Sequence, residues 1–343
     1  MKALVLKEYK RLVVEDVSVG PLGAGEVRIR VRACGICGSD IHGYDGSTGR
    51  RRPPLVMGHE AAGEIAELAP DIAGYRIGDR VTFDSTISCG RCGFCRLGRI
   101  NLCDNRRVLG VSCGEYRQDG AFAEFVTVPA RILYRLPDAV SFEHAAMVEA
   151  ISIAVHAVSR SPQPLGKSAA VIGAGMIGLL LIQAARAAGF GRIIAVDVDP
   201  DRLLLARTLG ADETILAGGG DPAAAVRERT GGRGAEVVFE VVGSPDTLTT
   251  AVQSAAKGGA VVLVGNLTPQ VPLPLQSVVT REISLLGSCA SCGEYPLCLD
   301  LLAGGAIRVE PLISAVAPLA DGPAWFDRLY AREKGLMKVI LVP

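Results

Sequence analysis

The chain lacks a net charge, because Lys+Arg and Asp+Glu both number 36. No basic field is available to draw in nucleic acid or an anionic membrane, which leaves small molecules and other subunits as partners. It also lacks an export signal: Met1 to Tyr9 carries Lys2, Lys7 and Glu8 where a signal peptide needs an apolar core, so a cytoplasmic location is expected. A membrane span is missing too. The apolar stretch 168–182 is interrupted by glycines and followed by Gln183, which makes it too short and too broken to cross a bilayer. Neither an internal repeat nor a low-complexity segment is present. What remains is 343 residues, 49% apolar and 21% charged, enough to bury the cores of two domains. In a chain without an export signal, the clustered members of its ten cysteines read as metal ligands rather than disulfides.

Residues 1 to about 150 contain short alternating runs broken by glycine, such as Val27-Arg28-Ile29-Arg30-Val31 and Arg80-Val81-Thr82-Phe83, which predict a β-rich domain. Within it, Cys37-Gly38-Ser39-Asp40-Ile41-His42 offers a thiolate, a hydroxyl and an imidazole at the spacing an alcohol-oxidising site needs. A catalytic zinc keeps about three protein ligands so that water or substrate can take the open position. Cys37 therefore needs partners, and His59, Glu60 and Glu149 supply candidates for a mixed sulfur, nitrogen and oxygen site suited to Zn²⁺. Cys34 precedes Cys37 in a Cys-x-x-Cys spacing, but it ends a strand-like run and reads as core. Further on, Cys89, Cys92, Cys95 and Cys103 lie close together, with Gly90 and Gly93 between the first three to permit tight turns. They can close a tetrahedral site around a structural zinc. The gap before Cys103 and the Asp104 after it differ from the bacterial ferredoxin run, which disfavours an iron–sulfur cluster.

From about residue 151 the composition shifts to Ala, Leu, Ile and Val, and strands alternate with longer helical runs, which predicts an α/β domain. The strand Ala169-Ala170-Val171-Ile172 leads into Gly173-Ala174-Gly175-Met176-Ile177-Gly178 and a helix to about Ala188. That strand–glycine–helix order is the dinucleotide fingerprint, with Gly173 at the turn, Gly175 facing the pyrophosphate and Gly178 at the helix–strand contact. The next strand, from Arg192, ends in Asp197. An acid there accepts hydrogen bonds from the adenosine ribose of NAD and repels the extra phosphate of NADP, while Arg202 just beyond partly offsets the repulsion. NAD is the expected cofactor and NADP the less favoured one. Further strands are expected at Glu236–Phe239, Ala260–Val264 and Ile283–Leu286, and a last one at Lys338–Val342.

In this order the motifs, together with Gly58-His59-Glu60-Ala61-Ala62-Gly63 and Asp119-Gly120-Ala121-Phe122-Ala123-Glu124, resemble the zinc-dependent medium-chain alcohol and polyol dehydrogenases over essentially the whole chain. The resemblance implies a GroES-like β-rich catalytic domain at 1–150 and 290–343, carrying a structural zinc lobe at about 86–106. A doubly wound Rossmann domain would occupy 151–289. It also implies two zinc ions per subunit, one catalytic and one structural, and a homodimer or homotetramer. Residue by residue, Cys37 and His59 match catalytic zinc ligands, Asp40 the carboxylate that orients His59, and Ser39 and His42 a proton relay. Glu149 stands where sorbitol and threonine dehydrogenases carry a glutamate, which points to a polyol or amino-alcohol branch. Glu60 matches either a direct ligand or a group behind the ligands. The expected reaction takes a secondary alcohol to a ketone with hydride passing to NAD.

Sorbitol dehydrogenases carry a Phe-Arg-Tyr run after the glycine of the last Rossmann strand, whereas Ser288-Cys289-Ala290-Ser291 follows Gly287 here. The substrate is then another polyol or a sugar-alcohol phosphate, with threonine or a simple alcohol as alternatives. Cys289 and Cys292 read as buried or incidental. A non-catalytic, redox-sensing relative would have lost the open metal site, and the retained Cys37, Ser39, His42, His59 and Glu149 argue against it. The run Arg50-Arg51-Arg52 reads as a solvated turn or a subunit contact or, alternatively, as a contact for an anionic substrate group.

Overall fold

The computed structural model describes residues 1–343. The chain forms two packed units. The first comprises Met1–Glu149, Tyr295–Ala303 and Val309–Pro343, and the second Ala150–Glu294 with Gly304–Arg308.

The first unit is built on a seven-stranded sheet. Its long strand Glu26–Gly35 pairs antiparallel with Glu60–Leu68 on one side and with the terminal strand Lys338–Val342 on the other. Alternation positions the first part of its side chains, with Val27, Ile29 and Val31 in the core and Arg30 and Arg32 facing water; a register shift between Val31 and Ala33 then breaks the alternation, and Ala33 and Cys34 are both buried. Cys34 is fully buried, as a core residue should be, and burial pushes its thiol well above the ordinary range. Strand Lys2–Glu8, with Arg11–Asp16 and Leu55–Val56, forms a smaller sheet whose Leu4 and Leu6 join the same core as Phe122, Phe326 and Leu341.

The second unit carries a six-stranded, all-parallel sheet. In spatial order its strands are Glu213–Leu216, Arg192–Asp197, Ser168–Ile172, Ala235–Glu240, Ala255–Leu263 and Ser284–Gly287. Read from Ser168–Ile172 as the first strand, this is the doubly wound 3-2-1-4-5-6 order. Its inner strands are continuous apolar runs because helices cover both faces, so alternation is absent. Three of the helices, Pro200–Thr208, Pro222–Arg229 and Pro245–Ser254, open on a capping Asp199, Asp221 or Ser244 followed by proline, which fixes each helix start. The helix after the glycine loop is Met176–Ala187. The edge strand Glu213–Leu216 is one the sequence reading passes over, since it is four residues long and only Ile215 is buried.

No helix is long and apolar enough to cross a membrane.

Candidate active site and metal centres

The first unit brings Cys37, His59 and Glu60 together, with one ligand atom from each lying within 4.8 Å of the others. Cys37 caps the short helix Gly38–Tyr44, and its N–H donates to Asp40 Oδ2 at 3.1 Å. That bond turns the first helical turn so that Ser39 and Asp40 face His59. His59 Nδ1 lies 3.4 Å from Asp40 Oδ1, and Ser39 Oγ lies 3.4 Å from His59 Nε2. A carboxylate on one ring nitrogen leaves the other free for a metal, the usual arrangement of a metal-binding histidine. Burial works against charge on both groups. Even so, the His59 ring holds the Asp40 carboxyl down at about 2, and the Asp40 carboxylate, with Cys37, raises His59 well above its ordinary value.

Glu60 opens the strand opposite Gly35. A Cβ at Gly35 would overlap the Glu60 carboxylate, so any larger residue there would force that carboxylate to shift. The cleared space also admits Lys338 from the terminal strand. Lys338 Nζ donates to Glu60 Oε2 and, at 3.1 Å, to the Ile36 carbonyl, and both side chains are almost wholly enclosed, at 3% and 1% exposure. Desolvation disfavours the ammonium, but Glu60, Cys37 and Glu149 outweigh it and raise Lys338 above its usual value. Glu149, in the first turn of the helix Val148–Arg160, lies outside the three-ligand cluster. It is close enough to feel that cluster's charges: withdrawal from water pushes its carboxyl up to about 7, against the pull of His59 and Lys338 and with the help of Glu60.

His42 sits half-buried on the same helix as Ser39, but Ser39 Oγ bonds to Arg51 and His59 rather than to the His42 ring. The arginine run divides. Arg50 and Arg52 are exposed, while Arg51 is buried and donates to Asp40 and Ser39, so a uniformly solvated turn is not what forms. Lys338 and Arg51 are the two groups at this site that the sequence reading missed or misplaced.

The second cluster is Cys89, Cys92, Cys95 and Cys103, whose sulfurs all lie within 4.8 Å of one another. Gly90, with φ at +73°, makes the first turn, and the N–H of Cys89 donates to Cys103 Sγ at 3.2 Å. Backbone N–H groups of Arg91 and Cys92 aimed at Cys89 bring its thiol down to about 6, while burial and the neighbouring thiols lift Cys95 to about 11. Four soft donors with no further ligand fit a closed structural zinc site.

In the second unit, Gly173 has φ at +103°, and a Cβ at Gly178 would overlap the Gly173 carbonyl, so the loop and the helix start can approach only as glycines. Gly175 faces open space, which fits a pyrophosphate approaching the backbone ahead of Met176 and Ile177. Asp197 ends the second strand; its Oδ2 accepts from the Ala174 N–H at 2.6 Å and its Oδ1 from Asp199 N–H at 2.9 Å. Arg202 Nε lies 3.6 Å from Asp199 Oδ2, so its charge is turned to that neighbour. Cys289 is exposed and Cys292 half-exposed, so of the two expectations for this pair the buried one is not met.

The family model of the alcohol dehydrogenase GroES-like domain matches residues 23–138, and that of the zinc-binding dehydrogenase matches residues 177–304. The sorbitol dehydrogenase of Bacillus subtilis is 32% identical over all of this chain and 97% of its own length. The L-idonate 5-dehydrogenase of Vitis vinifera is 36% identical, over 89% of this chain and 84% of its own. Among solved structures, a zinc-binding dehydrogenase of Sinorhizobium meliloti bound to NADP superposes with a TM-score of 0.92 at 32% identity, covering 100% of this chain and 99% of that one.

Proposed function

Since the chain belongs to the zinc-binding, medium-chain alcohol and polyol dehydrogenase family, we propose that it oxidises a secondary hydroxyl of a neutral polyol to a ketone with NAD as acceptor. It is an oxidoreductase that uses zinc and a nicotinamide cofactor. The observation that carries the finer reading is the meeting of Cys37, His59 and Glu60 with the Ser39 hydroxyl at hydrogen-bond range of His59. A sulfur, nitrogen and oxygen donor set of this kind fits zinc. Cys37, His59 and Glu60 would hold the catalytic ion, with Glu60 braced by Lys338 and Glu149 as a further carboxylate beside them. The four-cysteine cluster would hold a second, structural ion. When bound, the catalytic ion supplies Lewis acidity that lowers the pKa of a substrate hydroxyl.

The chain's own residues do the rest. Asp40 holds the imidazole of His59 in orientation. Ser39 Oγ would accept the hydroxyl proton as its own proton leaves, and His42, half-buried on the same helix but not bonded to Ser39, would take that proton up through an intervening group and pass it towards solvent. Asp197 accepts from the adenosine ribose and disfavours a 2′-phosphate, while Arg202, engaged with Asp199, does not offset that charge. Arg51 is committed to Asp40 and Ser39, which removes the buried member of the arginine run as a phosphate contact and favours a neutral substrate.

The test is a panel of neutral polyols, sugar-alcohol phosphates, simple alcohols and threonine, each followed by reduced-nicotinamide absorbance with NAD and NADP in parallel. A neutral polyol with NAD should show the highest kcat/KM. Higher values for threonine, for a phosphorylated substrate or with NADP would sink the corresponding part of the proposal.

A further inference from the structure

Arg51 is the only member of its run that is buried, with 6% of its surface exposed. A guanidinium withdrawn from water needs partners for its donors, because an unpaired buried charge is strongly destabilising. It finds two. Nε donates to Asp40 Oδ1 at 3.3 Å, and Nη2 donates to Ser39 Oγ at 2.9 Å.

The surroundings are built for that placement. The helix carrying Ser39 and Asp40 ends near Gly43, where a Cβ would overlap the Arg51 side chain, so the helix surface is left bare for the arginine stem. The backbone on either side of Arg51 is pinned to a single residue: Ser112 N–H donates to the Arg50 carbonyl at 3.0 Å, and Arg52 N–H donates to the Ser112 carbonyl at 3.0 Å. This bridge holds Arg51 inward while its neighbours Arg50 and Arg52 stay exposed.

A serine hydroxyl has one proton to give and two positions at which to accept, whereas arginine can only donate. With Arg51 filling one accepting position, the Ser39 proton cannot point at the guanidinium and is turned elsewhere. Its other neighbour, His59 Nε2 at 3.4 Å, is the nitrogen that would hold the metal, and once it does so one accepting position stays free for an incoming proton. The fixed positive charge at 2.9 Å also favours the negative character that Oγ gains as its own proton departs. We propose that Arg51 is a positioning residue for alcohol oxidation, fixing Ser39 Oγ as the proton acceptor and bracing Asp40 against His59 without touching the substrate. This rests on the dehydrogenase reading above.

The experiment uses the full-length, zinc-loaded enzyme with Arg51→Met, Arg51→Lys and Arg50→Ala. Arg51→Met should lower kcat about 10²-fold, with KM for polyol and for NAD moved less than about threefold, because a misaligned relay slows the proton step and not binding. The solvent deuterium isotope effect on kcat should rise, and millimolar guanidinium should recover part of the lost rate. Arg51→Lys should recover less than guanidinium does, since one ammonium cannot bridge Asp40 and Ser39 together. Arg50→Ala should match wild type. Crystal structures of Arg51→Met or Arg51→Lys should show the Ser39 side chain displaced, a readout independent of turnover and available from whichever variant accumulates. Unchanged kcat, a loss with neither isotope effect nor guanidinium recovery, or an undisturbed Ser39 would overturn the proposal. Wild-type enzyme that oxidises no alcohol would instead overturn the functional reading, and the position of Ser39 would still decide the role of Arg51.

Discussion

The two clusters of the first unit that could hold a metal are assembled by opposite means. Cys89 to Cys103 come from one short segment, and its own turns and backbone N–H groups aim the sulfurs at one point. The mixed cluster draws Cys37 from a helix cap and His59 and Glu60 from the start of a strand, and it is backed by a lysine on the terminal strand. The first is a property of a sequence window. The second is a property of the sheet. A closed site made locally stabilises its own lobe, while a site gathered by the sheet keeps its chemistry only as long as the strands stay in register.

The comparison breaks most sharply at the cysteines. Cys37→Ser should reduce turnover by on the order of 10³-fold or more while the melting temperature holds, because an open site loses a ligand and the sheet does not. Cys103→Ser should lower the melting temperature and halve the bound zinc, because a closed site is opened. Paired activity, melting and metal-content measurements decide this, and equal melting losses in the two variants would erase the distinction.

Lys338→Met sharpens it from the other end of the chain. Glu60 would be left buried without its cation, at a cost of about 3–5 kcal/mol, and a second change, Glu60→Gln, should restore much of the stability without restoring turnover. Denaturant titration of the single and double variants gives the answer, and an unaltered single variant would mean that the terminal strand is not needed to support the site.

The cofactor loop is a locally made site, and its acid should behave accordingly. Asp197→Ala should raise KM for NAD about tenfold and relax discrimination against NADP, with melting little changed. Steady-state kinetics with both cofactors test it, and wild type that favours NADP would contradict it.

The smallest effect is expected at His156 and Glu294 in the second unit, which touch at 2.6 Å. Burial opposes the Glu294 charge, but the bond from His156 outweighs it and depresses the carboxyl. A group depressed on folding stabilises above its unfolded pKa and loses that contribution as pH falls through the folded one. His156→Ala should therefore cost about 1 kcal/mol near neutrality, and the gap from wild type should close under acid. Melting curves across pH would show a constant gap if the pair contributes nothing.

Legibility followed the same division. The four-cysteine lobe, the glycine loop and Asp197 are written in contiguous residues with fixed spacing, so they can be read without a fold. The strands Glu26–Gly35 and Ser168–Ile172 were legible from alternation and from an unbroken apolar run respectively. Lys338 was not, because its partner lies 278 positions away and the lysine looks like the polar start of an apolar strand. The one local hint was Gly35, a glycine with no turn to make, placed where a carboxylate passes close. Arg51 was misplaced for a related reason: three like charges in a row share no periodicity, so nothing in the run says which of them the Ser112 bridge turns inward.

The clasp between Glu60 and Lys338 also makes the strand Lys338–Val342 a keystone of the mixed cluster. Its ammonium reaches across 278 positions of chain to the Glu60 carboxylate and also holds the Ile36 carbonyl, one residue ahead of Cys37, so two separate members of the ligand set hang on one side chain. Peeling that strand away from Glu26–Gly35 would loosen the cluster without touching any of its ligand atoms.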